Sequence, residues 1–320
     1  MNVKRKAWVA RHFLRWVKFT LVCVLLLSLP MFYLNLKPYQ VMPKSFIYDD
    51  GWQQRGVCNF SKISAAQITT LHDTDFDLNM FVHNPKMDQI SEILYHSNNL
   101  KDVPSAKLVK AFLDVFTDIG YVIDIGAHVG SISILSALMG KKVIAIDADK
   151  DNLNLLCSSV VNSRLQKNVV IIHGVVGMSH KAVTWAYQTN GNHSGNYVDT
   201  EDITWSQKSG SNWRLEGRSP FMLDNMIDML PNMSASNVFV NIDVNGYENI
   251  VLSGSHLFFK KTKVRGVLIN FKYHKSKPSG SFIVQILKKT GLHPYCYLNN
   301  TLVNLEKYKI SDWPDQIMWI

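Results

Sequence analysis

The stretch that most constrains the fold is residues 121–130, which read YVIDIGAHVG. A short apolar run ends at Asp124, a turn containing Gly126 and Gly130 follows, and the helix-like run SISILSALMG begins at once. A strand, a glycine turn and a helix start in this order predict a βα unit whose free N–H groups can bind a phosphate or a nucleoside. The spacing D-x-G-x-H-x-G differs from the dinucleotide pattern G-x-G-x-x-G. An ordinary βα turn without a ligand is the alternative.

Strand and helix patterns alternate along the rest of the chain. Buried apolar runs that predict strands occur at 142–146, 168–172, 238–242 and 265–271, with candidate terminal strands at 295–298 and 316–320. Helical spacing of apolar residues occurs at 105–116, 151–166, 249–259 and 281–290. Strands separated by helices predict the α/β class, here a Rossmann-like, doubly wound and mostly parallel sheet of seven strands.

Three aspartates stand at or near predicted strand ends: Asp124, Asp147 and Asp243. Open α/β sheets bind ligands beyond the carboxyl ends of their strands. Asp147 ends the strand after the glycine turn, where an acid can accept hydrogen bonds from both ribose hydroxyls of an adenosine. A nicotinamide dinucleotide is the rival ligand, but its glycine spacing is absent. A strand-end aspartate that only caps the chain is the other alternative.

Residues 121–320 resemble the FkbM family of methyltransferases. Five segments match in order and spacing: VIDIGAHVGS at 122–131, AIDADKDNLNLL at 145–156, HGVVG at 173–177, FMLDNM at 221–226 and NIDVNGYENIVLSG at 241–254. The glycine turn itself resembles motif I of S-adenosylmethionine-dependent methyltransferases. The resemblance implies S-adenosylmethionine as cofactor and O-methylation of a hydroxyl, often on a sugar or a secondary metabolite.

Site residues follow from the resemblance by matching position. It implies cofactor contacts from Asp124, Gly126, Ala127, His128, Gly130, Asp147, Ala148, His173 and Gly174. Asp243 would face the methyl group as the first candidate for the base. His274 is the second candidate, and its alternative is a solvated histidine in the basic loop YHKSKP. A divalent cation shared by Asp243 and Asn270 is a less favoured alternative, and no metal ligand is assigned.

This chain also departs from the family pattern. His128 stands where the family usually has Asn, and Ala148 replaces a usual Pro. Asn245 replaces the Glu of the DVEGYE segment, and Asn270 stands where a strand-end Glu is common. Because two acids are missing near the acceptor side, a catalytically weak or inactive methyltransferase-fold binding protein is the alternative to an active enzyme.

The N-terminus carries a different signal. Six of the nine net positive charges lie in residues 1–18, and 19–36 form an apolar run without a charge. This pattern predicts a transmembrane signal anchor at 19–36. The predicted layout is a cytoplasmic tail at 1–18, a stem at 37–103 and a methyltransferase domain at 104–320 in the Golgi or endoplasmic reticulum lumen. A cleaved signal peptide, giving a secreted form, is the rival. The weakly basic main body predicts no nucleic-acid partner.

Residues 190–220 interrupt the strand–helix pattern and are rich in Gly, Asn and Ser. We expect either a lid over the acceptor site or a disordered insertion. Trp205 and Trp213 either stack on a sugar or pin the loop to the core. With the predicted lumenal location, which four sequons at Asn59, Asn192, Asn232 and Asn299 support only weakly, this favours a glycan or glycoconjugate hydroxyl as acceptor over a small molecule or lipid. For the cysteines, a Cys58–Cys296 bridge and free buried thiols both stay open.

Overall fold

The structure is a computed structural model that describes residues 42–48, 51–59, 66–73, 76–199, 212–229, 236–298 and 301–320. The strands are β1 (Lys44–Tyr48), β2 (Trp52–Gln54), β3 (Gln67–Asp73), β4 (Phe76–Val82), β5 (Ile119–Ile125), β6 (Lys142–Asp147), β7 (Val169–His173), β8 (Val176–Gly177), β9 (Val183–Gln188), β10 (Tyr197–Asp199), β11 (Trp213–Arg218), β12 (Phe221–Met222), β13 (Asn237–Ile242), β14 (Lys263–Asn270), β15 (Pro294–Leu298), β16 (Thr301–Asn304) and β17 (Gln316–Trp319). The helices are α1 (Gln89–Ser97), α2 (Pro104–Val115), α3 (Ser131–Leu138), α4 (Lys150–Asn162), α5 (Met226–Met229), α6 (Glu248–Ser253), α7 (His256–Lys261) and α8 (Pro278–Lys289).

The main sheet is mixed and has the strand order β16-β15-β17-β14-β13-β5-β6-β7-β1-β2. The strands from β14 to β1 in this order are parallel to their neighbours, whereas β17 runs antiparallel to β14. From β5 the chain moves outward through β6 to β7, and it later returns to place β13 on the other side of β5. This reversal makes a topological switch point between β5 and β13, where open α/β sheets bind their ligands.

Burial on both faces explains why the central strands read as continuous apolar runs. Along β5, Val122 packs into a core cluster on one face of the sheet. Ile123 and Ile125 pack into a separate cluster. The same alternation occurs along β6, where Val143 and Ile144 belong to different clusters.

The expected α/β class agrees with this mixed sheet, but the predicted count of seven strands is wrong. Over the residues that the structure describes, the sheet has ten strands, because β1, β2 and β16 extend it at its two edges. Strand β1 pairs in parallel with β7, and it lies in the segment that the sequence assigned to a stem. Residues Met42–Ile320 form one compact unit, so most of the predicted stem, 37–103, belongs to the same unit as the predicted catalytic domain.

The N-terminal extension is also tied covalently to the core. Cys58 forms a disulfide with Cys157 of α4, and Cys296 is a buried free thiol. The Cys58–Cys296 pairing considered from the sequence is therefore wrong. Leu71 and Met80 of the β3–β4 hairpin, both 0% exposed, pack into the same core cluster as α4.

The predicted transmembrane helix is corrected. Within the described ranges, no helix has the length and apolar character needed to cross a bilayer. The helix α4 has only 13 residues, whereas a span needs roughly 20. The tail at 1–18 and the segment at 19–36 lie outside the described residues, as do Trp205 and the sequon residues Asn232 and Asn299. The single-pass type II location, which depended on the anchor, is withdrawn with it.

Candidate functional site

A cavity of about 610 Å³ opens at the switch point, beyond the carboxyl ends of β5, β6 and β13. This volume lies in the range of roughly 300–1,000 Å³ typical of small-molecule sites. We call one part of its lining the glycine-loop side, which consists of Gly126, His128, Asp147 and Ala148. We call another part the Asp243 side, which consists of Asp243, Asn245, Asn270 and Tyr273.

The glycines of the turn are required by contacts between chain segments. A Cβ on Gly126, where φ is +85°, would lie 1.9 Å from the carbonyl oxygen of Asp243. A Cβ on Gly130, where φ is +95°, would lie 2.2 Å from Cδ1 of Leu156 in α4. The N–H groups of Gly126 and Ala127 both donate to the carbonyl oxygen of Ile146 at 2.9 Å. These two N–H groups are therefore used inside the protein, and the turn holds β5, β6 and β13 together.

Asp124 lies beneath the cavity and does not line it. It is 1% exposed, and both carboxylate oxygens accept hydrogen bonds. Ser133 Oγ donates to Oδ2 at 2.6 Å, and Asn241 Nδ2 donates to Oδ1 at 3.0 Å. Burial raises the pKa of Asp124 to about 6, against these two hydrogen bonds. The predicted contact of Asp124 with a cofactor stays a prediction, since its observed partners connect β5 to α3 and β13.

Asp147 ends β6 and faces the cavity. Its Oδ1 atom accepts hydrogen bonds from the N–H of Asp149 at 2.7 Å and from Nδ2 of Asn152 at 3.2 Å. Its Oδ2 atom accepts one, from the N–H of His128 at 2.8 Å. Because each carboxylate oxygen has two lone pairs, Oδ2 keeps one acceptor position. Burial, followed by the nearby Asp149 carboxylate, raises the pKa of Asp147.

His128 holds its place through an unusual backbone conformation and an ion pair. Its φ is 51°, in the left-handed region that non-glycine residues seldom occupy. Its Nε2 lies 3.2 Å from Oδ2 of Asp88. Burial lowers the pKa of His128, but the carboxylates of Asp88, Asp147 and Asp149 outweigh burial and raise it. These carboxylates therefore stabilise the charged form of the imidazole.

The predicted cofactor contacts at Ala148, His173 and Gly174 are not all at the cavity. Ala148 and Gly174 line the cavity, but His173 does not. The His173 ring donates from Nε2 to the carbonyl oxygen of Ala148 at 3.1 Å, and burial and Arg218 lower its pKa. Trp185 of β9 lines the cavity and is 6% exposed. Sequence reasoning missed Trp185, because β9 lies outside the main sheet, in a separate three-stranded one.

Asp243 follows β13 and lines the cavity. Its Oδ1 atom accepts a hydrogen bond from Nδ2 of Asn270 at 2.7 Å. Among the residues that the structure describes, none donates to its Oδ2 atom. Burial raises the pKa of Asp243 to about 6, with Glu248 and Asp124 acting in the same direction and the Asn270 bond opposing them. The result is a carboxylate with one oxygen oriented and the other available to a ligand.

The cation considered between Asp243 and Asn270 is not supported by this geometry. The Asn270 amide turns its N–H donor toward Asp243, where a shared cation would require its oxygen. Across the described ranges, no group of three or more His, Cys, Asp or Glu side chains is arranged to hold a metal ion.

His274, the second predicted base, lies away from the cavity. It is 1% exposed and does not line the cavity. Its Nε2 lies 2.6 Å from Oε2 of Glu248, and its Nδ1 lies 2.8 Å from Oγ of Ser279. Glu248 is 0% exposed and accepts the N–H groups of Val244 and Gly246, each at 2.9 Å. In this position, His274 supports the turn that follows Asp243.

Several residues near the cavity were missed by sequence reasoning. The rings of His83 and His193 stack with centroids 3.8 Å apart. Burial and the neighbouring His193 and His128 lower the pKa of His83 to about 4. Asp88 is the N-cap of α1 and is 1% exposed. Of these, only Asp88 had a usable signal, since an acid directly before a helix is a typical N-cap.

Comparisons with known proteins do not assign the chain to a family. No protein-family model matches the chain, and no curated protein matches it. The predicted FkbM membership is therefore not confirmed.

Several solved methyltransferase structures have a low sequence identity and a low structural similarity to this chain. The chain is 10% identical to the O-methyltransferase from Bacillus cereus in complex with SAH, with 68% of this chain and 80% of that chain covered and a TM-score of 0.36. The precorrin-6y C5,15-methyltransferase from Geobacter metallireducens is 12% identical over 67% of this chain and 86% of its own, with a TM-score of 0.33. A SAM-dependent O-methyltransferase from Thermotoga maritima is 12% identical over 78% of this chain and 76% of its own, also with a TM-score of 0.33. These values are too low to assign a function, so the site is interpreted from its own geometry.

Proposed function

We propose that this chain is an S-adenosylmethionine-dependent methyltransferase that acts on a hydroxyl group. One observation carries the proposal: Asp147, with a spare acceptor position, and Asp243, with a raised pKa, line the same cavity at the switch point. In this pair, Asp147 would bind the ribose of the ligand, and Asp243 would act as the base of the reaction. The resemblance of residues 121–320 to the FkbM methyltransferases supports the same class of reaction.

The residues of the glycine-loop side fit an adenosyl cofactor. Asp147 would accept a ribose hydroxyl at Oδ2, where one lone pair is left over from the His128 N–H. Ala148, Gly174 and Trp185 give the cavity a less polar surface that suits an adenine ring. Asp124 would act from below by holding the tips of β5 and β13. When bound, the cofactor supplies an electrophilic methyl group on a sulfonium.

The residues of the Asp243 side would handle the acceptor. Asp243 would accept the proton of the acceptor hydroxyl at Oδ2, while Asn270 holds the carboxylate through Oδ1. A positioned base contributes a factor of about 10²–10⁴ to the rate. The pKa of about 6 leaves Asp243 mainly ionised at neutral pH and still basic enough to accept a proton.

The acceptor is proposed only as a hydroxyl. The predicted glycan or glycoconjugate acceptor depended partly on a lumenal location, which is withdrawn. It also depended on exposed tryptophans in 190–220, and the Trp213 ring packs on Tyr197 with centroids 5.2 Å apart. Glycan, lipid and small-molecule acceptors are therefore compared directly in the assay below. A partner beyond the acceptor is not proposed.

Calorimetry with S-adenosylmethionine tests the cofactor assignment. We expect the wild type to bind, and Asp147→Ala to bind about 10- to 100-fold more weakly because a hydrogen bond to a charged group is lost. Asp151→Ala, which removes an exposed carboxylate four residues away, serves as the matched control. Absence of binding by the wild type would overturn the proposal.

A transfer assay separates an enzyme from a binding protein. The wild type is incubated with labelled cofactor and with separate glycan, lipid, small-molecule and protein fractions, and label incorporation is measured. Label in one fraction identifies the acceptor class. Binding without transfer in any fraction would support the alternative, a cofactor-binding protein that does not turn over, which the amides at Asn245 and Asn270 favour.

A further inference from the structure

The segment 193–196 lines the cavity and is held by hydrogen bonds from several elements. The N–H of Ser194 donates to Oδ2 of Asp88 at 2.8 Å. His193 Nδ1 and Asn196 Nδ2 both lie within hydrogen-bond distance of Oδ2 of Asp149, at 2.7 and 2.9 Å. Asp88 pairs with His128, and Asp149 follows Asp147 closely in the chain. These contacts connect the segment to the glycine-loop side.

Asn245 connects the same segment to the Asp243 side. Its Nδ2 donates to the carbonyl oxygen of Ser194 at 3.0 Å and to that of Asn196 at 2.7 Å. Both hydrogens of the amide are used, and both acceptors are main-chain oxygens. Asn245 itself has a φ of 54°, a conformation that Asn tolerates better than most residues.

The glutamate that the DVEGYE pattern has at this position could not make these bonds. A carboxylate has no hydrogen to donate, and here it would face two carbonyl oxygens. The amide at 245 is therefore matched to the segment that it holds. An Asn at position 245 can therefore hold segment 193–196 by hydrogen bonds, whereas a Glu could not.

We propose that Asn245 is a positioning residue that fixes segment 193–196 as the wall joining the two sides of the cavity. The inference rests on the proposed function for its catalytic consequence, because that wall would enclose the cofactor and, through Asn245, is bonded to the turn that follows Asp243. Asn245 acts through the main chain of the segment and transfers no proton itself.

Asn245→Asp is the sharpest variant, because it keeps the size and the tolerance for positive φ but replaces both donors by acceptors. We expect faster amide hydrogen exchange in peptides covering 192–198, with unchanged exchange in β5 and β6. We expect the dissociation constant for S-adenosylmethionine to rise about tenfold, since two hydrogen bonds are lost. Asn249→Asp is the matched control with the same charge change, and its exchange and affinity should equal those of the wild type.

Asn245→Gly is the second variant, in case the aspartate does not fold. Glycine suits the positive φ and removes both bonds without adding a charge. It should raise exchange in 192–198 by less than Asn245→Asp does. Unchanged exchange in both variants, or a rise spread evenly over the whole chain, would overturn the inference.

The exchange measurement needs no ligand, so it separates two failures. If the wild type binds no S-adenosylmethionine, the proposed function fails, while exchange still decides whether Asn245 holds the segment. If the wild type binds and both Asn245 variants bind equally well with unchanged exchange, only the inference about Asn245 fails.

Discussion

The two sides of the cavity are built from residues at different distances along the chain. On the glycine-loop side, Asp147 is held by His128, Asp149 and Asn152, all within about one βα unit. On the Asp243 side, Asp243 is held by Asn270 of the neighbouring strand, and its turn depends on Glu248. The acid of the glycine-loop side is thus held mainly by local contacts, although His128 also depends on its ion pair with Asp88. Asp243 is instead held from a separate strand, by Asn270.

The largest expected effect separates chemistry from binding. Asp243→Asn should lower methyl transfer by about 10²–10⁴-fold, because the base is lost. Cofactor affinity should stay within a few-fold of the wild type, because Asp147 and its partners are untouched. Single-turnover transfer and calorimetry on the same preparation measure the two quantities. Intact methyl transfer in a folded Asp243→Asn protein would show that Asp243 is not the base.

Removal of the disulfide tests the anchoring of the N-terminal extension to α4, the helix that follows the glycine-loop side. The Cys58–Cys157 bond closes a loop with a sequence separation of 99 residues. Replacing both cysteines by Ser should lower the free energy of unfolding by about 4 kcal/mol, mainly because the unfolded chain gains entropy. Urea unfolding of the variant and of the wild type, with and without reductant, measures the change. A reductant effect that persists in the double variant would point to another cause.

Glu248→Gln tests the support of the turn that follows Asp243. The substitution keeps the shape but leaves the N–H of Gly246 and the His274 ring facing an altered partner in a fully buried position. We expect a loss of about 2 kcal/mol in the free energy of unfolding. Glu216→Gln, on the exposed part of β11, should change stability by less than about 0.5 kcal/mol. Equal stabilities for the two variants would show that Glu248 does not stabilise the Asp243 side.

The pH dependence of methyl transfer has the smallest expected effect. Asp243 accepts a proton only when ionised, and its pKa is about 6. The rate should therefore be level above pH 7 and fall about tenfold per pH unit once the pH is well below 6. The residual rate of Asp243→Asn should lack this fall, which separates Asp243 from Asp124, another buried acid with a pKa of about 6. A wild-type rate that is flat down to pH 5 would exclude Asp243 as the base.

Sequence patterns located the central elements well. The predicted helix at 105–116 is α2 (Pro104–Val115), which begins with Pro104 directly after the N-cap residue Val103. The predicted helix at 249–259 is interrupted, since α6 ends at Ser253 and α7 begins at His256. A Cβ on Gly254 would lie 2.1 Å from the carbonyl oxygen of Gly177, so a contact with another segment sets this break. Such a contact has no trace in the periodicity of the helix itself.

The sequence by itself determined the βα unit, the parallel central strands and the aspartates at their ends, because apolar periodicity and glycine turns are local properties of the chain. The tertiary structure alone decided that Asp124 lies beneath the cavity, that His274 supports Glu248, and that Asn245 holds segment 193–196. It also decided that the N-terminal extension adds strands β1 and β2 to the sheet. Hydrogen bonds and packing between residues far apart in sequence depend on how the strands are ordered, and that order is fixed only when the whole core is formed.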